Sequence, residues 1–244
     1  MGKDLFSKHA SQYAAFRPTY TKELYEFIFS LVTDFEMAWD AGTGNGQVAR
    51  DLSGRFKKVF ATDISTKQIE NAVYAENIIY SIAGETTSFP EKSFDLICVA
   101  QAIHWFDRNK FYDEVTRIGK SNAVVAVWGY GLLSVNSGID ALIGDFYVNI
   151  VGPYWDKERK LVDDQYKTIS FPFEEIQSPV FSFVFQWRFD ELRGYLNTWS
   201  SVQKFIRENS TNPVEQLMGK IRPLWLAERM SVRFPLFLRV GKMN

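Results

Sequence analysis

Cysteine is nearly absent. Cys98 is the only one among 244 residues, so no intrachain disulfide can form, and two histidines, His9 and His104, offer little from which to build a structural zinc site. A cytoplasmic protein without bound metal is the expectation. The longest apolar run, around Ala123 to Trp128, falls far short of the ~20 residues that span a bilayer, so no membrane helix is expected. Met1-Gly2-Lys3-Asp4 has no apolar stretch behind its basic residue, and Phe6 stands where a myristoylation signal needs Ser or Thr. Neither export nor a lipid anchor is expected. An excess of one charge is missing too: 28 basic residues face 29 acidic ones, a formal net of −1, which gives no global field to gather a polyanion such as a nucleic acid.

What is present is a soluble composition, 46% hydrophobic and 23% charged, in a chain long enough to bury its own core without staples. Leu24, Phe27, Ile28, Leu31 and Val32 recur at helical spacing, which predicts an amphipathic helix over Thr21 to Val32. From Phe35 onward strand and helix patterns alternate. Strands are predicted ending at Asp40, over Val59 to Ile64, Ile78 to Ala83, Phe94 to Ala100 and Ala123 to Trp128. Helices are predicted through Val48 and Leu52, from Ser65, and over Asp107 to Gly119. Ser65 with Gln68 reads as a capping box. Such alternation predicts an α/β fold, a mostly parallel sheet with helices on both faces.

After Trp128 the regularity breaks. Glycines and Pro153 interrupt a stretch in which only Ile139 to Val151 looks helical, so residues 129–179 read as a lid inserted over the sheet's carboxyl edge. A strand over Val180 to Trp187, with Phe181, Phe183 and Phe185 on its core face, resumes the core. A helix from Asp190 through Phe205 and a short one from Pro213 follow. The last strand, Val232 to Val240, contains Pro235, which cannot donate to a ladder and so predicts an edge or a bulge. One domain over residues 1–244, with its cofactor core in about 1–128 and 180–244, is the economical organisation.

The chemistry concentrates after the first strand, in Asp40-Ala41-Gly42-Thr43-Gly44-Asn45-Gly46. Glycines at alternate positions allow a tight turn and let a ligand lie against the backbone at a helix start. A dinucleotide fingerprint wants its third glycine where Gln47 stands, which weakens nicotinamide or flavin binding. Asp63 ends the second strand, one strand away from this loop, where a carboxylate can accept from both hydroxyls of a ribose; its plainer role is to cap the helix that starts at Ser65. Gly84 and Glu85 follow the third strand, where an adenine edge would meet them; Glu85 reads equally as an ordinary loop acid.

Taken with Phe6 to Pro18 (F-x6-Y-x3-R-P), Ser93-Phe94-Asp95-Leu96, Gln101-Ala102-Ile103-His104-Trp105-Phe106 and Asn197-Thr198-Trp199-Ser200-Ser201, this text resembles the class I S-adenosylmethionine-dependent methyltransferases. It is similar in particular to the methyltransferase type 11 set that includes trans-aconitate-type carboxyl methyltransferases. The resemblance runs nearly end to end. It implies a Rossmann-like sheet of seven strands, S-adenosyl-L-methionine as cofactor and a small-molecule acceptor, with a carboxylate or other oxygen as the preferred nucleophile.

The implied cofactor contacts are Tyr13 and Arg17 in the entrance segment and Asp40, Gly42, Gly44 and Gly46 in the loop. Asp63, Ile64, Gly84, Glu85 and Gln101 complete that set along the strand ends. Many relatives carry Asp at the position of Ala83, so contact with the adenine amino group passes to Glu85 or to backbone. His104, Trp105, Tyr130 and Trp199 are the candidates for the acceptor side. His104 could take a proton from an alcohol or phenol, or it could only shape the pocket, since a carboxylate is already ionised at neutral pH and needs no base. Arg188, Arg193 and Arg207 read mainly as solvated side chains. A nicotinamide-dependent oxidoreductase and a non-catalytic cofactor sensor on the same scaffold are the alternatives.

Overall fold

The computed structural model describes residues 19–243. Helix α1, Lys22–Leu31, buries Leu24, Tyr25 and Ile28, and the Tyr25 ring meets Trp128 of the sheet edge-on at 6.4 Å. Five parallel strands follow, β1 Met37–Ala41, β2 Lys58–Asp63, β3 Ile78–Ile82, β4 Phe94–Ala100 and β5 Gly119–Tyr130. They are connected through α2 Gln47–Ser53, α3 Thr66–Glu70 and, between β4 and β5, α4 Arg108–Ile118. Beyond β5 come α5 Ser137–Asp145, α6 Arg159–Asp163, β6 Glu174–Ile176, β7 Phe181–Arg188, α7 Phe189–Asn197, α8 Ser200–Asn209, α9 Pro213–Ile221 and β8 Arg229–Lys242.

The spatial order is β3-β2-β1-β4-β5-β8-β6, with β7 also on β8. β8 runs antiparallel to its neighbours and carries β5 on one side. On its other side Val240–Lys242 pair with β6 and Arg229–Leu236 with β7, so eight segments fill seven strand positions. Successive side chains of a strand point to opposite faces, which divides the interior in two. Ala38, Leu96, Cys98, Val124 and Ala126 join one core, while Trp39, Ile97, Val99, Val125 and Val127 join the other. Burial on both faces is what makes Leu96–Ala100 of β4 and Ala123–Trp128 of β5 read as unbroken apolar runs.

Several expectations are refined or corrected. The edge expected for Pro235 is met locally: β8 is interior along Leu236–Lys242 but has a single strand, β7, beside it over Arg229–Pro235. Pro235 opposes Ser182 of β7, and its carbonyl accepts from Gly131 N–H at 2.9 Å. A strand residue's N–H and C=O point the same way, so the missing donor faces the side where β5 has just ended at Tyr130. The helix expected from Asp190 through Phe205 is two, α7 and α8, parted at Thr198 and Trp199. The helical stretch Ile139 to Val151 is α5 followed by a wider turn over Phe146–Ile150. Only half of the capping box exists: Ser65 Oγ accepts from Gln68 N–H, while Ser65 N–H goes to Asp63 instead. β6, three residues long, lies inside the segment that showed no strand pattern.

Candidate active site

The glycine loop takes its shape from three left-handed residues, Gly42 (φ 71°), Gly44 (φ 57°) and Gly46 (φ 81°). Their surroundings differ. A Cβ on Gly42 would come within 2.6 Å of the Ala102 methyl, and one on Gly46 would collide with the Tyr80 hydroxyl, whereas one on Gly44 would meet nothing within 4 Å. Two glycines are therefore needed by the protein's own packing, and the third meets none of the described residues.

Asp40 holds the loop from beneath. It is 1% exposed, and its Oδ2 accepts from the Thr43 hydroxyl at 2.5 Å. Burial pushes its carboxyl up to about 7, against the opposing pull of Thr43 and the Ala49 backbone N–H. Thr62 O accepts from both Gly42 and Thr43 N–H, tying the loop to β2. At the end of that strand, Asp63 Oδ2 accepts from Gly44 N–H and Oδ1 from Ser65 N–H, each at 2.9 Å. One carboxylate thus joins the loop to Ser65, and the helix cap read for Asp63 belongs to Ser65 itself, the N-cap of α3. Beside it Ile64 is 45% exposed, and its Cγ2 lies 3.6 Å from where a Gly84 Cβ would be. Glu85 Oε1 accepts from Asp107 N–H at the head of α4, so this acid supports a helix start. Tyr13 and Arg17 lie outside the described residues.

Gln101 turns the chain out of β4 with φ 54°, a left-handed conformation that costs a non-glycine residue roughly 1–2 kcal/mol. Its N–H donates to Trp128 O and its side-chain amide to Tyr130 O, which hold it there. The turn delivers His104 and Trp105 on a short 3₁₀ helix, Ile103–Trp105.

One cavity gathers Gln101, His104, Trp105, Tyr130 and Trp199. All four acceptor-side candidates, drawn from three separate stretches of chain, thus share a wall. Arg188 and Arg193 lie elsewhere, paired with Glu228 and Asp190 at 3.3 Å each, and Arg207 is exposed.

The same cavity is lined by residues that the sequence did not single out: Trp155, Asp156, Arg159, Tyr195 and Ser200. Arg159 stands over the Trp155 ring at 4.8 Å, and its Nε donates to the Tyr147 hydroxyl at 2.7 Å and faces Asp163 at 3.3 Å. Asp156 is paired with Lys204 at 2.6 Å. Behind the wall, the Tyr166 hydroxyl lies 2.8 Å from His104 Nδ1. Segment 131–173 carries most of these groups on helices of a turn or two, which leave no periodic signature. Its one legible cue was composition, a run of charged and aromatic residues.

Residues 39–127 match a family model described as a methyltransferase domain. A protein of Dictyostelium discoideum named as a methyltransferase is 32% identical over 98% of this chain and 95% of its own length. A type II methyltransferase structure from Anaeromyxobacter dehalogenans superposes with a TM-score of 0.87 at 32% identity, covering 93% of this chain and 98% of that one. A methyltransferase of Aspergillus candidus is 24% identical over 90% of this chain and 78% of its own. With the strand order, the glycine loop and Asp63 in place, the chain belongs to the S-adenosylmethionine-dependent methyltransferases.

Proposed function

We propose that the protein transfers the methyl group of S-adenosylmethionine to an oxygen of a small organic acid. The cofactor, when bound, supplies an electrophilic methyl on a sulfonium. The open face of Gly44, the carboxylate of Asp63 and the exposed side chain of Ile64 beside Gly84 suit a nucleoside: backbone to lie against, an acceptor for vicinal hydroxyls and an apolar surface for a base. Gln101 begins the cavity on the neighbouring strand end, and segment 131–173 covers it from beyond β5. Methyl transfer of this kind needs alignment more than acid–base help, and well-oriented pairs gain about 7–11 kcal/mol from position alone.

The observation that carries the acidic acceptor is Arg159. A guanidinium has five N–H donors, and among the described residues only its Nε is engaged. Four donors on a largely enclosed side chain in the cavity wall call for an acceptor, and a carboxylate matches that planar fork in two bonds. The carboxylate in the wall, Asp156, is already paired with Lys204 at 2.6 Å, which weakens its pull on an ammonium group. A near-neutral chain agrees with a small acceptor over a nucleic acid.

Native mass spectrometry of the purified protein should show S-adenosylmethionine or its demethylated product. A methyl-uptake screen over acids, phenols and amines should find turnover among the acids. Arg159→Gln should raise the KM for the acid by about 10- to 100-fold, the worth of a charge-assisted pair, with cofactor affinity unchanged. Turnover confined to amines, or an Arg159→Gln protein with an unaltered KM for acids, would refute the assignment.

A further inference from the structure

The His104–Tyr166 pair decides what the histidine can do. Tyr166 is fully buried, and its hydroxyl has one hydrogen-bond partner among the described residues, His104 Nδ1 at 2.8 Å, with the two rings 5.9 Å apart and nearly parallel. Burial drives the phenol far above its ordinary range although Arg159 pulls the other way, so Tyr166 keeps its proton. A hydrogen bond between these atoms can be drawn in two ways. If Nδ1 carried the hydrogen and donated, the Tyr166 O–H would be left buried with no acceptor, at the full desolvation cost of an unpaired polar group. If the phenol donates, every group on this side of the ring is satisfied, and the single hydrogen of the neutral imidazole sits on Nε2.

We infer that Tyr166 is a positioning residue that locks His104 in the Nε2–H tautomer, so that the imidazole acts as a hydrogen-bond donor in the acceptor cavity and not as a general base. Tyr166 is placed for this by its backbone: it follows Gln165 in a pair of left-handed residues (φ 55° and 58°) that end the turn after α6, and its carbonyl is held by Arg239 at 3.1 Å. Left-handed geometry at two consecutive non-glycine residues is costly and persists where surrounding contacts impose it. The inference rests on the methyltransferase reading and deepens it: a site whose histidine donates suits a nucleophile that arrives already ionised, as a carboxylate does, and not an alcohol that must first lose a proton.

The chain's two histidines make the test direct. In ¹⁵N-histidine-labelled protein, with His9→Gln used for assignment, the long-range ¹H–¹⁵N pattern of His104 at neutral pH should show a hydrogen on Nε2 and a bare Nδ1. Tyr166→Phe removes one oxygen and leaves the ring; circular dichroism checks that the fold persists. In that variant the tautomer preference should collapse to a mixture, and kcat on the best acid should fall about 2- to 12-fold with the KM for S-adenosylmethionine unchanged. Tyr166→His should not restore the pattern. A wild-type Nδ1–H signal, or a pattern unmoved in Tyr166→Phe, overturns the inference. The spectrum is read without turnover, so absence of activity on acids would sink the acceptor assignment alone and leave the tautomer measurement standing.

Discussion

Asp63 and Gly44 are joined across the carboxyl edge of the sheet: one oxygen of the acid accepts from the backbone N–H of the glycine at 2.9 Å, while the other holds Ser65. The acid therefore sets the loop's position as well as presenting charge beside it. Asp63→Ala should weaken S-adenosylmethionine binding by about 1–3 kcal/mol, the cost of lost bonds to a charged acceptor. Titration calorimetry reads this directly, and an unchanged affinity would separate Asp63 from the cofactor.

The three loop glycines should separate in mutation. Gly42→Ala forces a methyl to within 2.6 Å of Ala102 at φ 71°, so it should lower the melting temperature through overpacking of about 1–3 kcal/mol. Gly44→Val pays backbone strain of roughly 1–2 kcal/mol, but its Cβ meets nothing within 4 Å among the described residues, so it should remain folded while losing cofactor binding. Thermal melts beside binding titrations make the comparison; a Gly44→Val protein that binds normally would place the ligand away from this turn.

Asp40 gives the protein a pH dependence with a definite sign. Its carboxyl sits near 3.8 when exposed and near 7 in the fold, because burial penalises the anion. Between those values the folded state holds a proton that the unfolded state has released, so this group's contribution to stability declines as pH rises through the window, at up to about 1.4 kcal/mol per pH unit. Asp40→Asn should flatten that part of the profile in denaturant titrations from pH 4 to 8. A slope equal to the wild type's would show that the carboxyl titrates normally.

Gln101 should reverse the usual ranking of alanine and glycine. At φ 54° alanine keeps the left-handed strain and loses the amide bond to Tyr130, whereas glycine loses the bond but relieves the strain. Gln101→Gly should be more stable than Gln101→Ala by about 1 kcal/mol. Equal melting temperatures would mean that the turn relaxes on substitution.

The part of the molecule legible in its sequence is the part built by periodicity. Alternating runs located five parallel strands, and the spacing from Asp40 to Asp63 placed loop and acid on adjacent strand ends because a parallel sheet brings them there. Local text also found His104, Trp105, Tyr130 and Trp199, which converge on one cavity. Arg159 and Tyr166 escaped notice because α6 spans five residues and Tyr166 sits in a left-handed turn, neither of which has a period to detect. Pro235 was legible as a residue without a ladder bond to give, and it sits where β5 stops one residue short of needing its N–H.

β8 follows the other seven strands in sequence and yet lies between β5 and the β6–β7 edge. The glycine loop and Asp63 come together from β1 and β2, neighbours in sequence as well as in the sheet. The cavity wall joins more distant parts: Tyr130 lies at the end of a strand whose partner β8 is about a hundred residues away in sequence, Tyr195 is in α7 and Trp199 lies between α7 and α8. Closing such distant partners is the slow part of building a sheet. The loop and Asp63 are thus joined by neighbours in sequence, whereas the acceptor-side cavity depends on pairings between segments far apart along the chain, so the two should form at different rates.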